Sequence, residues 1–199
     1  MGLELAGALL LIAVLAAQLV RQRRRIAALR RELEGLKSRT DEQLETDPLT
    51  GLASRTALER WLEEVEPFPA LLVVCDLDNF KALNDRYGHL VGDEVLRDIG
   101  QLLRASIRRQ DRAFRWGGDE FVVCFRTSDR ELVENRLRMI ERRLADFQVR
   151  GCGPVSVSMT WGLAALPAGQ NPRHSLQEAD RLMLEAKHRQ RQATGRQPT

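Results

Sequence analysis

The sequence predicts one mixed domain of helices and strands, of the α/β or α+β class, behind an apolar N-terminal helix. The 199 residues are 43% hydrophobic and 30% charged, which is enough for one ordinary core and excludes both a large multidomain enzyme and a disordered chain. Segments with helical period alternate with short β-favouring runs, without the regular order of a parallel barrel. Two of those runs are separated only by Gly-Gly-Asp-Glu, a spacing typical of a hairpin.

The N-terminal segment, residues 1–20, contains an uncharged apolar run. Residues 5–20 read LAGALLLIAVLAAQLV, and a helix of that length is about 24 Å long, near the thickness of a hydrocarbon core. A cleaved signal peptide would carry positive charge before the apolar run, whereas only Glu4 precedes this one. The arginines that follow mark the cytoplasmic flank. We therefore expect a single-pass, uncleaved anchor with the rest of the chain inside.

Residues 21–46 form the second predicted segment, a short coiled-coil linker. Its apolar residues step by three and four from Ile26 through Leu29 and Leu33 to Leu36, as the a and d positions of a coiled coil do. The alternative is a helix that lies on the membrane surface through its arginines. A parallel homodimer is favoured because an anchor would already align two chains.

Positive charge is confined to this N-terminal part. Residues 1–40 carry eight Lys or Arg and three acids, although the whole chain has 31 basic and 28 acidic residues. The remainder is therefore slightly acidic, which argues against a nucleic-acid-binding domain.

The folded part begins near residue 47. A helix is expected over 56–65, stopped by Pro67 and Pro69, and further helices over 90–108, 131–147 and 176–190. Strands are expected over 71–75, buried on both faces, then 113–116, 121–125 and 155–165, and residues 193–199 read as a disordered tail. Cys75 and Cys124 lie in apolar runs and act as small hydrophobes, which favours a reducing compartment.

Carboxylates cluster at two predicted strand ends. Asp76 and Asp78 follow the buried strand, and Asp119 and Glu120 lie at the hairpin tip. Oxygen donors of this kind suit a hard cation such as Mg²⁺. The preceding pair, Gly117 and Gly118, would allow positive φ and close approach of a phosphate. Read alone, the tetrapeptide is equally well explained as a polar turn.

Three longer motifs favour a functional role for the tetrapeptide over a simple polar turn. They are DPLTGLASR at 47–55, DLDNFKALNDRYGHLVGD at 76–93 and RRQDRAFRWGGDEF at 108–121, and together they resemble the GGDEF-domain family of diguanylate cyclases over residues 47–191. The resemblance implies an α+β fold (an α/β sandwich) over 47–192, similar to nucleotidyl cyclases and polymerase palms, with a mostly antiparallel sheet flanked by helices. It implies a homodimer that condenses two GTP into cyclic di-GMP and pyrophosphate. Together with the anchor expected from residues 5–20, this predicts an enzyme at the bacterial inner membrane with its catalytic domain in the cytoplasm.

The resemblance also implies a metal site and catalytic residues. Two Mg²⁺ ions, or Mn²⁺, would be held by Asp76, the Leu77 carbonyl, Asp119 and Glu120. Asp119 and Glu120 would thus also be catalytic, Asp119 as the candidate proton acceptor. Lys81 would stabilise the transition state.

Substrate contacts follow in the same way. Asn84 and Asp93, with His89 nearby, would recognise guanine, since a carboxylate accepts from donors that adenine lacks. The triphosphate would meet the backbone of Gly117 and Gly118 and the charges of Lys187 and Arg191. For the last two, a solvated helix face is the alternative.

Residues 108–111 match the family's RxxD inhibitory motif. Arg108 and Asp111 would then bind the product cyclic di-GMP, supported by a second arginine among Arg136, Arg138 and Arg142. The alternative is an arginine that interacts with a helix C-terminus.

Three departures from the family pattern stand out. Thr160-Trp161-Gly162 replaces the usual Ser-Ile-Gly, Leu184 replaces a tyrosine, and Gln190 replaces a common glycine. These are packing or helix-end positions. The alternative function, a catalytically silent receptor for GTP or cyclic di-GMP, is disfavoured because the signature tetrapeptide is intact.

Overall fold

The computed structural model describes residues 45–64, 68–145, 148–149, 153–154 and 156–193, together with positions 22 and 25. A boundary between two units falls between residues 43 and 44, so nearly all of this belongs to the second unit. The predicted anchor and the tail after residue 193 lie outside the described residues. Of the predicted linker, only positions 22, 25, 45 and 46 are described. Within the described ranges, no helix is long and apolar enough to cross a membrane.

Five helices and six strands make up the described part of the second unit. The helices are α1 (Arg55–Glu64), α2 (Phe80–Tyr87), α3 (His89–Ser106), α4 (Arg130–Ala145) and α5 (Pro172–Ala193). The strands are β1 (Ala70–Leu77), β2 (Arg112–Arg115), β3 (Glu120–Phe125), β4 (Gln148–Val149), β5 (Gly153–Pro154) and β6 (Met159–Leu166).

The main sheet has four strands in the order β2-β3-β1-β6, and its neighbours pair antiparallel. The predicted hairpin is confirmed as β2 and β3. Every residue of β1 is buried, as the unbroken apolar run predicted. The antiparallel pairing settles the class: this is a mixed sheet-and-helix fold with helices on both faces, not a parallel α/β fold.

Strand alternation divides the core into two layers. Leu71, Val73 and Cys75 of β1 face a cluster built by α3 and α4. Leu72 and Val74 face the other cluster, built by α1 and α5. Because successive side chains of a strand point to opposite faces, Asp76 belongs to the α5 face at the end of the strand.

Two parts of the predicted pattern differ from the structure. Helix α2 was not predicted. It has only eight residues and none is fully buried, although Phe80, Leu83 and Tyr87, spaced three and four apart, pack partly buried against the core. The expected strand over 155–165 begins only at Met159. Ser158, directly before this strand, is outside the sheet, and its hydroxyl donates a hydrogen bond to the Asp78 carboxylate. The ribbon of β4 and β5 has two residues per strand, too short for a pattern to reveal.

Candidate active site

Three polar residues form a row across the end of the sheet on its α5 face. Asp76 of β1 lies opposite Glu120 of β3 on one side and opposite Thr160 of β6 on the other. Directly opposed residues in antiparallel strands have Cβ atoms about 5 Å apart. The register therefore brings together carboxylates that are 44 positions apart in the sequence.

Helix α5 covers this row because β6 lets it approach closely. A Cβ placed on Gly162 would lie 2.1 Å from the Ala179 carbonyl oxygen and 2.3 Å from the Met183 nitrogen, so only glycine allows this packing. The last turns of α5 then lie over the end of the sheet. There Lys187 forms an ion pair with Asp76, with both side chains largely buried.

The ionised carboxylates of the row are destabilised by burial and by repulsion from one another. Burial raises the pKa of Asp76, Asp119 and Asp78 raise it further, and the Lys187 ammonium opposes them. Burial likewise raises the pKa of Glu120, with added repulsion from Asp76 and Asp119. One lysine does not neutralise the cluster, so the site has negative charge to offer a cation.

The donor set suits a hard divalent cation bound jointly with a substrate. Carboxylate oxygens are preferred ligands of Mg²⁺, which takes one or two from protein and completes its shell with water and phosphate. Across the residues that the structure describes, no three His, Cys, Asp or Glu side chains are arranged to hold a metal by themselves. The paired carboxylates of Asp76 and Glu120 fit a cation whose coordination shell a substrate phosphate completes.

The hairpin that carries Asp119 is fixed to β1 through its backbone. The Leu77 amide donates to the Asp119 carbonyl at 3.2 Å, and the Trp116 amide donates to the Glu120 carbonyl at 2.8 Å. A Cβ on Gly117 would lie 2.4 Å from Glu120 Oε2. Gly117 and Gly118 do not use the positive φ that glycine allows. Gly117 leaves room for the Glu120 carboxylate, while space beside Gly118 is open.

Arg115 holds the same hairpin from its other side, a contact that sequence reasoning missed. Its guanidinium donates to the carbonyls of Gly117 at 3.2 Å and Gly118 at 2.7 Å. It also donates to both carboxylate oxygens of Asp47 at 3.1 Å. Asp47 in turn accepts from the Thr50 amide and hydroxyl. The available signal was an arginine just before the glycine pair and an aspartate opening the first motif.

The predicted guanine residues lie on α2 and α3. The Asn84 side-chain oxygen is buried and lacks a hydrogen-bond partner, and a Cβ on Gly92 would lie 1.9 Å from it. Asp93 is half-buried on α3, while His89 and Lys81 are exposed. A buried acceptor without a donor is costly, and the absence of a side chain at Gly92 is what leaves room for it.

The two predicted phosphate-binding cations line a second feature, a cavity of about 450 Å³ that Gly117 and Gly118 do not line. Lys187 and Arg191 border it with Asp78, Asn79 and Gln190. Arg191 is exposed and Lys187 half-buried. The structure therefore places both cations beside one cavity at the sheet end, whereas Lys81, on α2, does not line it.

The predicted inhibitory residues are separate from this site. Asp111 is buried, and its carboxylate accepts from the backbone amides of Arg108 at 2.9 Å and Arg126 at 3.0 Å. Arg136 approaches it at 3.8 Å. Among the three arginines left open by the sequence, Arg136 is thus the one beside Asp111, and Arg108 is exposed next to it.

Comparison with known proteins agrees with this geometry. The profile of the family described as "Diguanylate cyclase, GGDEF domain" matches residues 44–193, so the chain belongs to the GGDEF family. It is 32% identical over 174 residues to diguanylate cyclase DgcP of Pseudomonas aeruginosa, covering 82% of this chain and 26% of that protein. It is 36% identical over 149 residues to diguanylate cyclase DgcS of Shewanella oneidensis, covering 71% and 49%. The chain thus spans half or less of these relatives.

A solved structure shares the fold over most of both chains. The coiled coil and GGDEF domain of DgcB from Caulobacter crescentus, in complex with c-di-GMP, has a TM-score of 0.66 at 26% identity. The match covers 87% of this chain and 94% of that one.

Proposed function

We propose that this chain is a diguanylate cyclase. The observation that carries the proposal is the row of Glu120, Asp76 and Thr160 under the cationic end of α5, in a chain whose family and relatives bear that name. Two GTP molecules would give one cyclic di-GMP and two pyrophosphates. Each 3′-hydroxyl oxygen bonds to the α-phosphorus of the other GTP, the bond to the pyrophosphate oxygen breaks, and two hydroxyl protons leave.

The residues divide this work by their positions. Lys187 and Arg191 would bind the triphosphate from α5, and Lys81 would approach it from α2. Asn84 and Asp93 would accept hydrogen bonds from guanine. The carboxylate of Asp119, at the hairpin tip, would take up a proton from the attacking hydroxyl. The charges of Lys187 and Asp76 act more strongly than exposed charges would, because both side chains are largely buried.

A divalent cation would be held by Asp76, Asp119, Glu120 and the Leu77 carbonyl, and we propose Mg²⁺, two ions per site. When bound there, it would lower the pKa of the 3′-hydroxyl and neutralise charge on the phosphate. Asp76 is paired with Lys187 in this structure and would give up that ion pair to hold a cation. The freed ammonium is then available to the substrate phosphates.

Two domains must face each other, since each site holds one GTP. We propose a homodimer joined by residues 21–46 and anchored in the bacterial inner membrane by residues 5–20, which raises the local concentration of one domain near another. Support comes from the apolar run and the arginines that follow it. Product inhibition is proposed at Arg108 and Asp111, with Arg136 beside them.

The direct test is incubation of the purified full chain with GTP and Mg²⁺, with nucleotides separated by chromatography and identified by mass. An Asp119→Ala variant serves as the control. Cyclic di-GMP from the parent and none from the variant supports the cyclase. A folded, dimeric parent that binds GTP and forms no product contradicts it and favours the receptor.

A further inference from the structure

Two of the departures from the family pattern contact each other in this structure. Thr160 Oγ1 lies 2.8 Å from Gln190 Oε1, although the residues are 30 positions apart. The same hydroxyl lies 2.6 Å from Asp78 Oδ1. Sequence reasoning treats these positions as separate changes in packing, whereas the structure joins them into one polar network.

The chemistry of the hydroxyl defines how this network is connected. A threonine hydroxyl has one proton to donate, and the Asp78 carboxylate is the stronger acceptor because it is charged. The Gln190 side chain must then donate its amide N–H to Thr160 Oγ1. This requires the Gln190 amide to be turned over, with its nitrogen in place of the Oε1 that lies 2.8 Å from Thr160 Oγ1. The chain of donors therefore runs from Gln190 through Thr160 to Asp78.

Asp78 is the fixed end of that chain. Its second carboxylate oxygen accepts from Ser158 Oγ at 2.8 Å, and its backbone amide donates to the Ser158 carbonyl at 2.9 Å. The next residue, Asn79, has a left-handed backbone with φ of 55° and leads directly into α2. Whatever fixes Asp78 therefore fixes the start of the helix that carries Lys81 and Asn84.

Gln190 is at the other end, between the two predicted phosphate-binding cations of α5. It is three residues beyond Lys187 and directly precedes Arg191, and all three line the cavity of about 450 Å³ with Asp78 and Asn79. Here a glycine would have no side chain to reach Thr160. The network thus ties the end of α5 to the turn between β1 and α2 across the cavity.

We propose that Gln190 is a positioning residue: through Thr160 and Asp78 it sets the distance between the cations of α5 and the substrate-binding residues of α2. This rests on the proposed function, because the bound group is the triphosphate of a nucleotide. A phosphate group is held in both the ground state and the transition state, so loss of the network weakens binding more than turnover.

The test compares Gln190 with a matched glutamine on the same helix. Gln177 is exposed on α5 and outside the cavity, so Gln177→Glu and Gln177→Ala are controls for charge and side-chain loss. In the full-length protein, Gln190→Glu removes the N–H donor and adds a charge near Asp78. We expect the KM for GTP and the Kd of the non-reactive α,β-methylene GTP analogue to rise together, roughly 3- to 10-fold, with kcat within about twofold of the parent.

Variants of Thr160 test whether Gln190 acts through the Thr160 hydroxyl. Thr160→Val should weaken analogue binding as much as Gln190→Ala, and the double variant no further, whereas Thr160→Ser should bind like the parent. Equal behaviour of the Gln190 and Gln177 variants, or factors that multiply in the double variant, would overturn the proposal. If the parent binds the analogue but makes no cyclic di-GMP, the proposed function fails and the Kd values still decide this inference. A folded parent that does not bind the analogue overturns both.

Discussion

Lys187 forms an ion pair with Asp76 at the end of the sheet, and both side chains are largely buried. Lys187 is a predicted phosphate-binding residue and Asp76 a predicted metal ligand. In this structure their charges neutralise each other. A buried charge that loses its partner is costly. The pair offsets only part of the cost of burying Asp76 among other carboxylates, and it would open when a cation and a triphosphate bind.

Lys187→Met should therefore separate metal binding from nucleotide binding. Removal of the ammonium frees Asp76 and removes a competing positive charge, so Mn²⁺ should bind more tightly without nucleotide. The KM for GTP should rise about tenfold, because a charged phosphate contact is lost. Calorimetric titration and steady-state kinetics measure the two effects. Arg189→Met, exposed on the same helix, is the control, and weaker Mn²⁺ binding by Lys187→Met would contradict this account.

Asp76→Asn should remove activity yet stabilise the metal-free protein. Burial and neighbouring carboxylates raise the pKa values of Asp76 and Glu120, so the folded protein holds these protons more tightly than the unfolded chain. The clustered charges therefore cost stability at neutral pH, and the cost falls as the pH falls. Cyclic di-GMP formation should drop on the order of 10³-fold.

Thermal unfolding checks the stability half of this prediction. Without metal, the Tm of Asp76→Asn should equal or exceed that of the parent at pH 7, and the difference should shrink toward acid pH. Added Mg²⁺ should raise the parent Tm more than the variant Tm. A lower Tm for the variant at pH 7 would mean that the Lys187 pair outweighs the repulsion.

The fold and the carboxylates of the site could be predicted from sequence, whereas their supporting contacts could not. The β1 run and the β2–β3 hairpin are local patterns, and Asp76, Asp119 and Glu120 belong to short motifs. The contacts of Arg115 with Asp47 and of Gln190 with Thr160 join residues 68 and 30 positions apart. Such contacts depend on strand register and helix approach, which no local pattern encodes. Helix α2 was missed although Phe80, Leu83 and Tyr87 have helical spacing and pack partly buried against the core, because over eight residues that period is too short to stand out.

Asp47→Asn should destabilise the fold by about 1.5–3 kcal/mol, the range for hydrogen bonds to a charged group. Burial alone would raise the pKa of Asp47, but the Thr50 hydrogen bonds and the Arg115 charge together hold it below its ordinary value of 3.8. Its contribution is therefore present at neutral pH and lost as the pH falls below that value. Urea unfolding of parent and variant at pH 7 and near pH 3.5 should show a difference that shrinks with acid. Glu64→Gln, exposed at the end of α1, should show no such loss.

Arg136→Ala should weaken product inhibition without changing the initial rate. Arg136 lies 3.8 Å from the Asp111 carboxylate and donates to the Ser106 carbonyl at 3.1 Å, and neither Arg136 nor Asp111 lines the cavity of Lys187 and Arg191. The concentration of cyclic di-GMP that halves the rate should rise several-fold, since an arginine contact to phosphate is lost. The control is Arg138→Ala, on an exposed face of the same helix. Cyclic di-GMP should inhibit this variant as it inhibits the parent. Equal inhibition of all three proteins would remove Arg136 from the site.

Gly92→Ala should impair guanine binding although residue 92 has no side chain to contact a ligand. The added Cβ would lie 1.9 Å from Asn84 Oδ1 and 3.2 Å from the Phe80 ring, so the Asn84 amide must turn away from its buried position. We expect the KM for GTP to rise about tenfold, the cost of one misplaced hydrogen bond in a buried site. Discrimination against ATP should fall with it, because an unpaired acceptor no longer penalises the wrong base. Competition between GTP and ATP at fixed enzyme measures this directly. Unchanged selectivity in a variant that still folds would show that Asn84 does not read the base.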